Sequence, residues 1–127
     1  MTEGRAAAND QIVRDFIAAW ERRDTEAIVE RFTDDGVYHS TPLEPIVGKD
    51  AIRAFVEGFE GKPPGRLVIH HQVASDTVVM NERTDHITLN GRAVTLPITG
   101  VFEMRGGQIA AWREYFDLGP VHAAYAK

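Results

Sequence analysis

The hydrophobic period of this chain changes at Gly65, and that change decides what the sequence can fold into. Before Gly65, apolar residues recur at helical spacing; after it, they alternate with polar residues as in strands. The alternating half predicts strands over residues 66–75, 77–90, 93–105 and 108–118. Hairpin-type dipeptides separate these strands: Ser75-Asp76, Asn90-Gly91 and Gly106-Gly107. Helices followed by an antiparallel meander predict an α+β fold.

Three amphipathic segments make up the helical half. The first begins near Asn9, and its apolar stripe consists of Ile12, Val13, Phe16, Ile17 and Trp20. Asp24 is the predicted N-cap of a second helix that runs toward Phe32 and ends at the turn Asp34-Asp35-Gly36. A short strand over 37–41 and a third helix from Gly48 follow. Residues 1–8 are predicted to be a flexible leader, and residues 1–127 to be a single domain.

Two residues in the strand over 93–105 predict that the sheet is curved. Gly100 indicates a kink or bulge, and Pro97 indicates an unpaired N–H position. Both would help to curl the sheet into a cone around the helices and enclose an apolar cavity. Side chains that share inward faces are the predicted walls of this pocket: Ile17, Trp20, Val56, Phe59, Leu96, Ile98, Trp112 and Phe116.

Charged residues fall on these otherwise apolar faces. Arg83 and Asp85 are two residues apart and share a strand face, while Glu114 shares a face with Trp112 and Phe116. Buried charges need partners, because an unpaired one costs several kcal/mol. Two carboxylates and a guanidinium in an apolar pocket suit acid–base chemistry on water. The same three residues suit a structural ion-pair network equally well.

Composition excludes several other kinds of function. The net charge of −5, without a basic run, disfavours nucleic acid and anionic membranes as partners. No apolar stretch approaches a membrane span, and the N-terminus lacks a signal peptide, so a cytoplasmic protein is expected. The absence of cysteine excludes disulfides and zinc–thiolate sites. His70 and His71, adjacent in a strand, are predicted to face opposite sides, which disfavours a shared metal site.

The order of elements and several motifs resemble limonene-1,2-epoxide hydrolase and its relatives. These belong to the SnoaL-like branch of the cone-shaped nuclear-transport-factor-2-like (NTF2-like) superfamily. The motifs are Tyr38-His39-Ser40-Thr41-Pro42-Leu43-Glu44-Pro45, Gly48-Lys49-Asp50-Ala51, Glu82-Arg83-Thr84-Asp85, Gly100-Val101-Phe102 and Trp112-Arg113-Glu114-Tyr115-Phe116-Asp117-Leu118. The likeness extends from Asn9 to Leu118.

This resemblance implies a one-step hydrolysis in which an acid protonates the epoxide, a base deprotonates water and an arginine bridges the two. Carried over by position, Asp85 is the acid, Arg83 the bridge and Tyr38 a water ligand. Two positions depart from the family pattern. Glu114 stands where the family has an aspartate base, and Ser40 where it has a water-holding asparagine.

The sequence therefore predicts a cofactor-free epoxide hydrolase without a metal site, acting on a small, mostly apolar epoxide. The resemblance also implies a homodimer, with the outward-facing His39, His71 and His86 at or near the interface. Asp117 is an odd number of residues from Glu114, so its side chain is expected on the opposite face of the strand and is predicted to be structural. Two alternatives stay open: an epoxide-opening cyclase or isomerase of the same fold, and a non-catalytic carrier of an apolar ligand.

Overall fold

The computed structural model describes residues 2–127, with side chains from Gly4 onward, and contains four helices and six strands over that range. The elements in chain order are α1 (Thr2–Glu21), α2 (Thr25–Glu30), β1 (Phe32–Ser40), β2 (Ile46–Val47), α3 (Lys49–Glu57), β3 (Arg66–Ala74), β4 (Val78–Leu89), β5 (Arg92–Arg105), β6 (Gln108–Tyr115) and α4 (Gly119–Tyr125). The α+β class is confirmed.

Helix α1 is longer than the sequence predicts. It begins at Thr2, so residues 2–8 of the predicted flexible leader are helical, while Met1 lies outside the described residues. Three consecutive alanines, Ala6 to Ala8, explain the extension, because alanine has the highest intrinsic helix propensity. The predicted apolar stripe is buried farther along the helix, with Val13, Phe16 and Trp20 in the core.

The segment after α1 was predicted correctly at its start and wrongly at its end. Asp24 is the N-cap of α2, and its carboxylate accepts a hydrogen bond of 3.2 Å from Ala27 N–H. The helix ends at Glu30, however, and β1 begins at Phe32 instead of Val37. The predicted turn over residues 34–36 lies inside β1, where the pairing with β6 shifts register between Phe32 and Val37. The turn residues therefore form an irregularity within a strand.

The strands over the described residues form one sheet in the order β2-β1-β6-β5-β4-β3. Strands β3 to β6 form the predicted antiparallel meander, and β1 pairs with β6 in parallel. The turn between β4 and β5 has left-handed backbone at both central residues, with φ of 53° at Asn90 and 73° at Gly91. These angles are those of a type I′ hairpin turn.

Neither Gly100 nor Pro97 interrupts strand β5. Gly100 pairs with Asn81 of β4 and Glu114 of β6 in continuous register, so the predicted kink or bulge there is wrong. Register shifts lie instead between Glu103 and Met104 in the β5–β6 pairing. Strand β6 pairs with β5 only from Thr99 onward, and Pro97 therefore lies where β5 has no neighbour on that side.

A third register shift, between β3 and β4, corrects the prediction for the adjacent histidines. The β3–β4 register shifts between Ile69 and His71, and the extra residue places His70 and His71 both in exposed positions. His70 Nε2 lies 2.7 Å from Thr84 Oγ1, and His71 Nδ1 lies 2.9 Å from Glu82 Oε1. Thr84 and Glu82 share the outer face of β4, so both histidines contact the same face. The expectation of opposite faces is wrong.

Helix α4, which the sequence analysis did not predict, packs against the end of the sheet. Its Ala124 is buried with Val94, Leu96 and Ile98 of β5 in a small second core. The Asp117 carboxylate accepts a 2.9 Å hydrogen bond from Gly119 N–H at the start of α4, consistent with the predicted structural role. The main core is larger and aromatic, and it lies between α1, α2, α3 and the inner face of the sheet.

Candidate active site

Arg83 and Asp85 form a buried, two-point ion pair on the inner face of β4. Arg83 Nε lies 3.1 Å from Asp85 Oδ1, and Arg83 Nη2 lies 3.0 Å from Asp85 Oδ2. Arg83 is 1% exposed and Asp85 6%. The guanidinium also lies 5.9 Å from the ring centre of Trp112. A planar guanidinium matches a carboxylate at two points, and this geometry fixes the orientation of both groups.

Glu114 reaches the same guanidinium from a different strand. It is buried on β6, and its Oε2 accepts a hydrogen bond from Arg83 Nη2. Strands β4 and β6 lie on opposite sides of β5, so their backbones are about 10 Å apart. Arg83 therefore has to extend across the middle strand to reach Glu114.

Gly100 makes that crossing possible. It is the residue of β5 that pairs with Glu114, and a Cβ added at Gly100 would lie 3.0 Å from Arg83 Nη1. The same Cβ would lie 3.0 Å from Asn81 Oδ1. Any side chain at this position would enter the space occupied by the arginine. The missing side chain of Gly100 thus opens a passage across the sheet.

Asn81 holds the guanidinium from the other side. Arg83 Nη1 donates to Asn81 Oδ1 over 3.3 Å, and Asn81 Nδ2 donates to Gln72 Oε1 over 3.0 Å. Gln72 in turn donates to Asp10 Oδ1 on α1 over 2.8 Å. Asn81 was not among the predicted site residues, although it is two residues from Arg83 and therefore shares its strand face. It is a buried polar residue whose bonds to Arg83 and Gln72 satisfy its amide.

Tyr38 and Ser40 extend the polar cluster onto β1. The parallel pairing of β1 with β6 places Tyr38 beside Trp112 and Ser40 beside Glu114. The Tyr38 hydroxyl donates to Glu114 Oε1 over 2.8 Å, and Ser40 Oγ donates to the Tyr38 hydroxyl over 3.4 Å. The Tyr38 ring stacks on Trp112 with centres 4.4 Å apart. All five predicted polar site residues therefore belong to one connected cluster.

Burial determines the protonation behaviour of this cluster. It raises the pKa of Glu114, although Arg83 acts in the opposite direction. Burial disfavours the charged form of Arg83, but the Glu114 and Asp85 carboxylates outweigh it and raise the pKa of the guanidinium. Burial, followed by the charge of Glu114, holds the pKa of Tyr38 well above its usual range. Arg83 stays a cation, Tyr38 stays a hydroxyl donor, and Glu114 is a stronger base than an exposed glutamate.

The cluster forms part of the wall of a cavity of about 160 Å³. A cavity needs roughly a tenth of that volume to hold one water, so it has room for an organic molecule as well. The predicted wall residues that line it are Trp20, Phe59, Leu96, Ile98, Trp112 and Phe116. The sequence analysis missed other lining residues: Arg23, Leu67, Ile87, Thr88, Leu89 and Val121.

Two predicted wall residues do not line the cavity. Ile17 and Val56 are 2% and 3% exposed and belong to the main core. Each is followed three residues later by an aromatic residue, Trp20 or Phe59, and those two rings contact each other at 5.8 Å. The larger rings reach the cavity wall, and the shorter aliphatic side chains stay in the core.

Residues 4–127, whose side chains are described, contain no group of three or more acidic, histidine or cysteine side chains arranged to hold a metal ion. None of the described helices combines the length and the apolar character that a membrane span needs.

The curled six-stranded sheet around the N-terminal helices is an NTF2-like fold. Residues 7–127 match the limonene-1,2-epoxide hydrolase catalytic domain, and the chain belongs to that family. A curated relative, epoxide hydrolase EphG of Mycobacterium tuberculosis (strain ATCC 25618 / H37Rv), is 29% identical over 106 residues, which cover 84% of this chain and 71% of the relative. The resemblance inferred from the sequence motifs is thereby confirmed.

Solved structures agree with this assignment. An M. tuberculosis limonene-epoxide-hydrolase-like epoxide hydrolase is 26% identical, with a TM-score of 0.84 and coverage of 94% of this chain and 90% of that one. SalBIII, an epoxide hydrolase/cyclase-like enzyme of pyran ring formation in the polyether salinomycin, has a TM-score of 0.79 at 19% identity. That likeness covers 88% of this chain and 92% of SalBIII and shows the fold alone.

Replacing Gly100 with alanine tests the passage across β5. The new Cβ would displace Arg83 or Asn81, and we expect Gly100→Ala to lower the free energy of unfolding by about 1–3 kcal/mol, as overpacked sites do. Chemical denaturation measures the change. Gly4→Ala is the control, since a Cβ at Gly4 meets no atom within 4 Å and an alanine favours the helix. Equal stability of Gly100→Ala and the wild type would contradict the proposed role of Gly100.

Proposed function

We propose that this protein is a cofactor-independent epoxide hydrolase that adds water to a small, mostly apolar epoxide. The substrate would be terpene-like or alicyclic and the product a vicinal diol. The observation that carries the proposal is the placement of two carboxylates, bridged by Arg83, in the wall of an apolar cavity. Membership of the limonene-1,2-epoxide hydrolase family supports the same reaction class.

Each polar side chain has a distinct role in the proposed reaction. Asp85, in its protonated form, donates its proton to the oxirane oxygen as the carbon–oxygen bond breaks. Glu114, ionised, removes a proton from the water whose oxygen forms the new bond to carbon. Asp85 thus loses one proton and Glu114 gains one. Transfer of a proton from Glu114 to Asp85, directly or through solvent, restores the starting state. Two nearby carboxylates resist ionising together, so the pair is expected to hold one proton, which the proposed reaction requires on Asp85.

The buried position of Glu114 supports its role as the base. The raised pKa of its carboxyl group makes it a better proton acceptor than an exposed glutamate. Each Glu114 oxygen already accepts one hydrogen bond, from Tyr38 or from Arg83, and a carboxylate oxygen has a second lone pair. A water on the free lone pair of Oε1 would lie next to the Tyr38 hydroxyl. Ser40 would then assist through Tyr38, to which it donates.

The two departures from the family pattern fit together in this geometry. Glu114 is one methylene longer than the aspartate that it replaces, and its carboxylate reaches the Tyr38 hydroxyl directly at 2.8 Å. Ser40 is shorter than the asparagine that it replaces and contacts Tyr38, not Glu114. The longer base and shorter partner keep an unbroken chain of hydrogen bonds from Ser40 to Asp85.

A second candidate is an epoxide-opening cyclisation, in which a hydroxyl of the substrate replaces water as the nucleophile. Two observations support this cyclisation: the fold shared with the cyclase-like SalBIII and the mostly apolar cavity. The same acid and base would serve both reactions. Product analysis separates them, because hydrolysis adds the mass of one water and cyclisation leaves the mass unchanged.

Removing either carboxylate tests the proposed roles. We expect Asp85→Asn and Glu114→Gln each to lower diol formation by roughly 100- to 10,000-fold, the usual contribution of a positioned acid or base. The assay is diol detection with a panel of cyclic and acyclic epoxides. Glu103→Gln is the matched control, since Glu103 is an exposed residue of β5 paired with Arg113. Wild-type rates in correctly folded Asp85→Asn protein would rule out Asp85 as the acid.

We also propose that the protein forms a homodimer through the outer face of the sheet. Three apolar side chains on that face are exposed: Val73 by 68%, Met80 by 43% and Tyr115 by 47%. His71 and the half-buried His86 lie on the same face, and the β1–β6 register places His39, which bonds to the Leu43 carbonyl, on that face beside Arg113. A cytoplasmic location stays a prediction.

Light scattering tests the dimer. We expect a mass near twice 14.1 kDa at micromolar concentration and a shift toward 14.1 kDa in Met80→Glu, because a buried unpaired charge opposes association. Tyr125→Glu is the control, since Tyr125 is 59% exposed and lies on α4, which packs through Ala124 against the opposite, inner face of the sheet. A mass of 14.1 kDa for the wild type at all concentrations would contradict the dimer.

A further inference from the structure

Arg23 is a cation in the cavity wall that has no carboxylate partner among the described residues. It lines the same cavity as Arg83 and Asp85 and is half-buried. Its Nη2 donates to the Pro63 carbonyl over 2.9 Å, while its Nε is buried without a hydrogen-bond partner. Burial lowers the pKa of Arg23, with no neighbouring carboxylate acting against it. A guanidinium carries five N–H donors, and the described contacts of Arg23 use one of them, so this group has unused capacity to bind an anion.

The carboxylates nearest to Arg23 in the sequence bind other groups. Glu21 accepts a 2.8 Å hydrogen bond from Leu67 N–H. Asp24 accepts hydrogen bonds from Ala27 N–H at the start of α2 and from Arg22. The local acidic residues therefore satisfy backbone groups or the neighbouring arginine and leave Arg23 uncompensated.

Local backbone energetics do not explain an arginine at this position. Arg23 follows the end of α1 with φ of 57°, a left-handed conformation that glycine adopts most easily. A residue with a Cβ costs about 1 kcal/mol there. Its guanidinium lies over the Phe59 ring at 5.2 Å, and Phe59 also lines the cavity. The side chain is thus held against the cavity wall by an aromatic face and the Pro63 carbonyl.

The sheet register places Arg23 away from the catalytic cluster. Arg66 pairs with His86, and a Cβ on Gly65 would lie 3.1 Å from Ile87, so the loop before β3 runs beside the far end of β4. Pro63, which Arg23 contacts, lies farther along that loop. Asp85 is two residues before Ile87, or about 7 Å along the strand. Arg23, which contacts Pro63, therefore lies toward the Ile87 end of the cavity and not at Asp85.

From this arrangement we propose that the cavity binds epoxides that carry a carboxylate at the end remote from the oxirane ring. Arg23 binds the carboxylate, the apolar wall binds the intervening carbon chain, and the oxirane lies at Asp85. The proposed small, mostly apolar epoxide is then an epoxy acid. The identity of the reacting end rests on the proposed hydrolase function, but the anion subsite does not.

A binding measurement tests the subsite without any turnover. Isothermal titration calorimetry at pH 7 compares octanoate with octanamide, which has the same shape without the charge. We expect the wild type to bind octanoate about 10- to 100-fold more tightly, the range for a hydrogen bond to a charged group. Arg23→Gln, which keeps an N–H donor for Pro63, should lose that preference. Arg23→Lys, which keeps the charge, should retain part of it.

Arg22→Gln is the matched control, because Arg22 is exposed, pairs with Asp24 and does not line the cavity. It should keep the wild-type preference for octanoate, and thermal melting verifies that every variant is folded. Equal affinity for octanoate and octanamide in the wild type, no binding of octanoate, or a preference that survives in Arg23→Gln would each overturn the proposal.

A kinetic measurement separates this inference from the hydrolase function. Its substrates are the terminal epoxide of octanoic acid and the corresponding primary amide. We expect kcat/KM in the wild type to favour the acid by about 10- to 100-fold and Arg23→Gln to lose that preference. Equal hydrolysis of both would overturn the anion subsite and leave the hydrolase standing. Arg23-dependent binding of octanoate without hydrolysis of either epoxide would overturn the hydrolase function and leave the subsite standing.

Discussion

The site depends on one buried cation that joins side chains from two strands that are not neighbours. Arg83 pairs with Asp85 on its own strand and extends across β5 to Glu114 on β6. Removing the arginine would leave two buried carboxylates without compensation, which costs several kcal/mol. The same contact that stabilises the folded cluster therefore sets the distance between the proposed acid and base.

The surrounding sheet is built to accommodate that contact. Gly100 provides the space between the two outer strands, and Asn81 fixes the guanidinium from the side opposite Glu114. The stacking of Tyr38 on Trp112 directs the Tyr38 hydroxyl toward Glu114. Rigid strands hold all these groups, so the geometry of the pair is set by the register of the sheet and not by a loop. Such preorganisation is what acid–base catalysis on an uncharged oxirane ring requires.

Strand parity explains how much of this could be predicted from the sequence. Period-two alternation placed Arg83 and Asp85 on one face, and the hairpin signals ordered the meander, so the fold class and the polar cluster were accessible. Parity does not reveal an inserted residue, and the bulge beside His71 was missed for that reason. Nor does it show what a missing side chain makes room for: Gly100 was predicted to be a kink, and its role depends on side chains from neighbouring strands. Arg23 escaped notice because its importance lies in the absence of a partner, which only the folded arrangement shows.

In the proposed reaction, Asp85 and Glu114 act as acid and base toward a free water, and no carboxylate attacks the substrate. A single turnover in water labelled with a heavy oxygen isotope, with unlabelled protein, tests it most directly. Direct attack by water predicts that the first diol formed carries one labelled oxygen, measured by mass spectrometry. A first-turnover diol without the label, with heavy oxygen found instead in the Asp85 or Glu114 carboxyl group, would show a covalent ester intermediate and contradict the account.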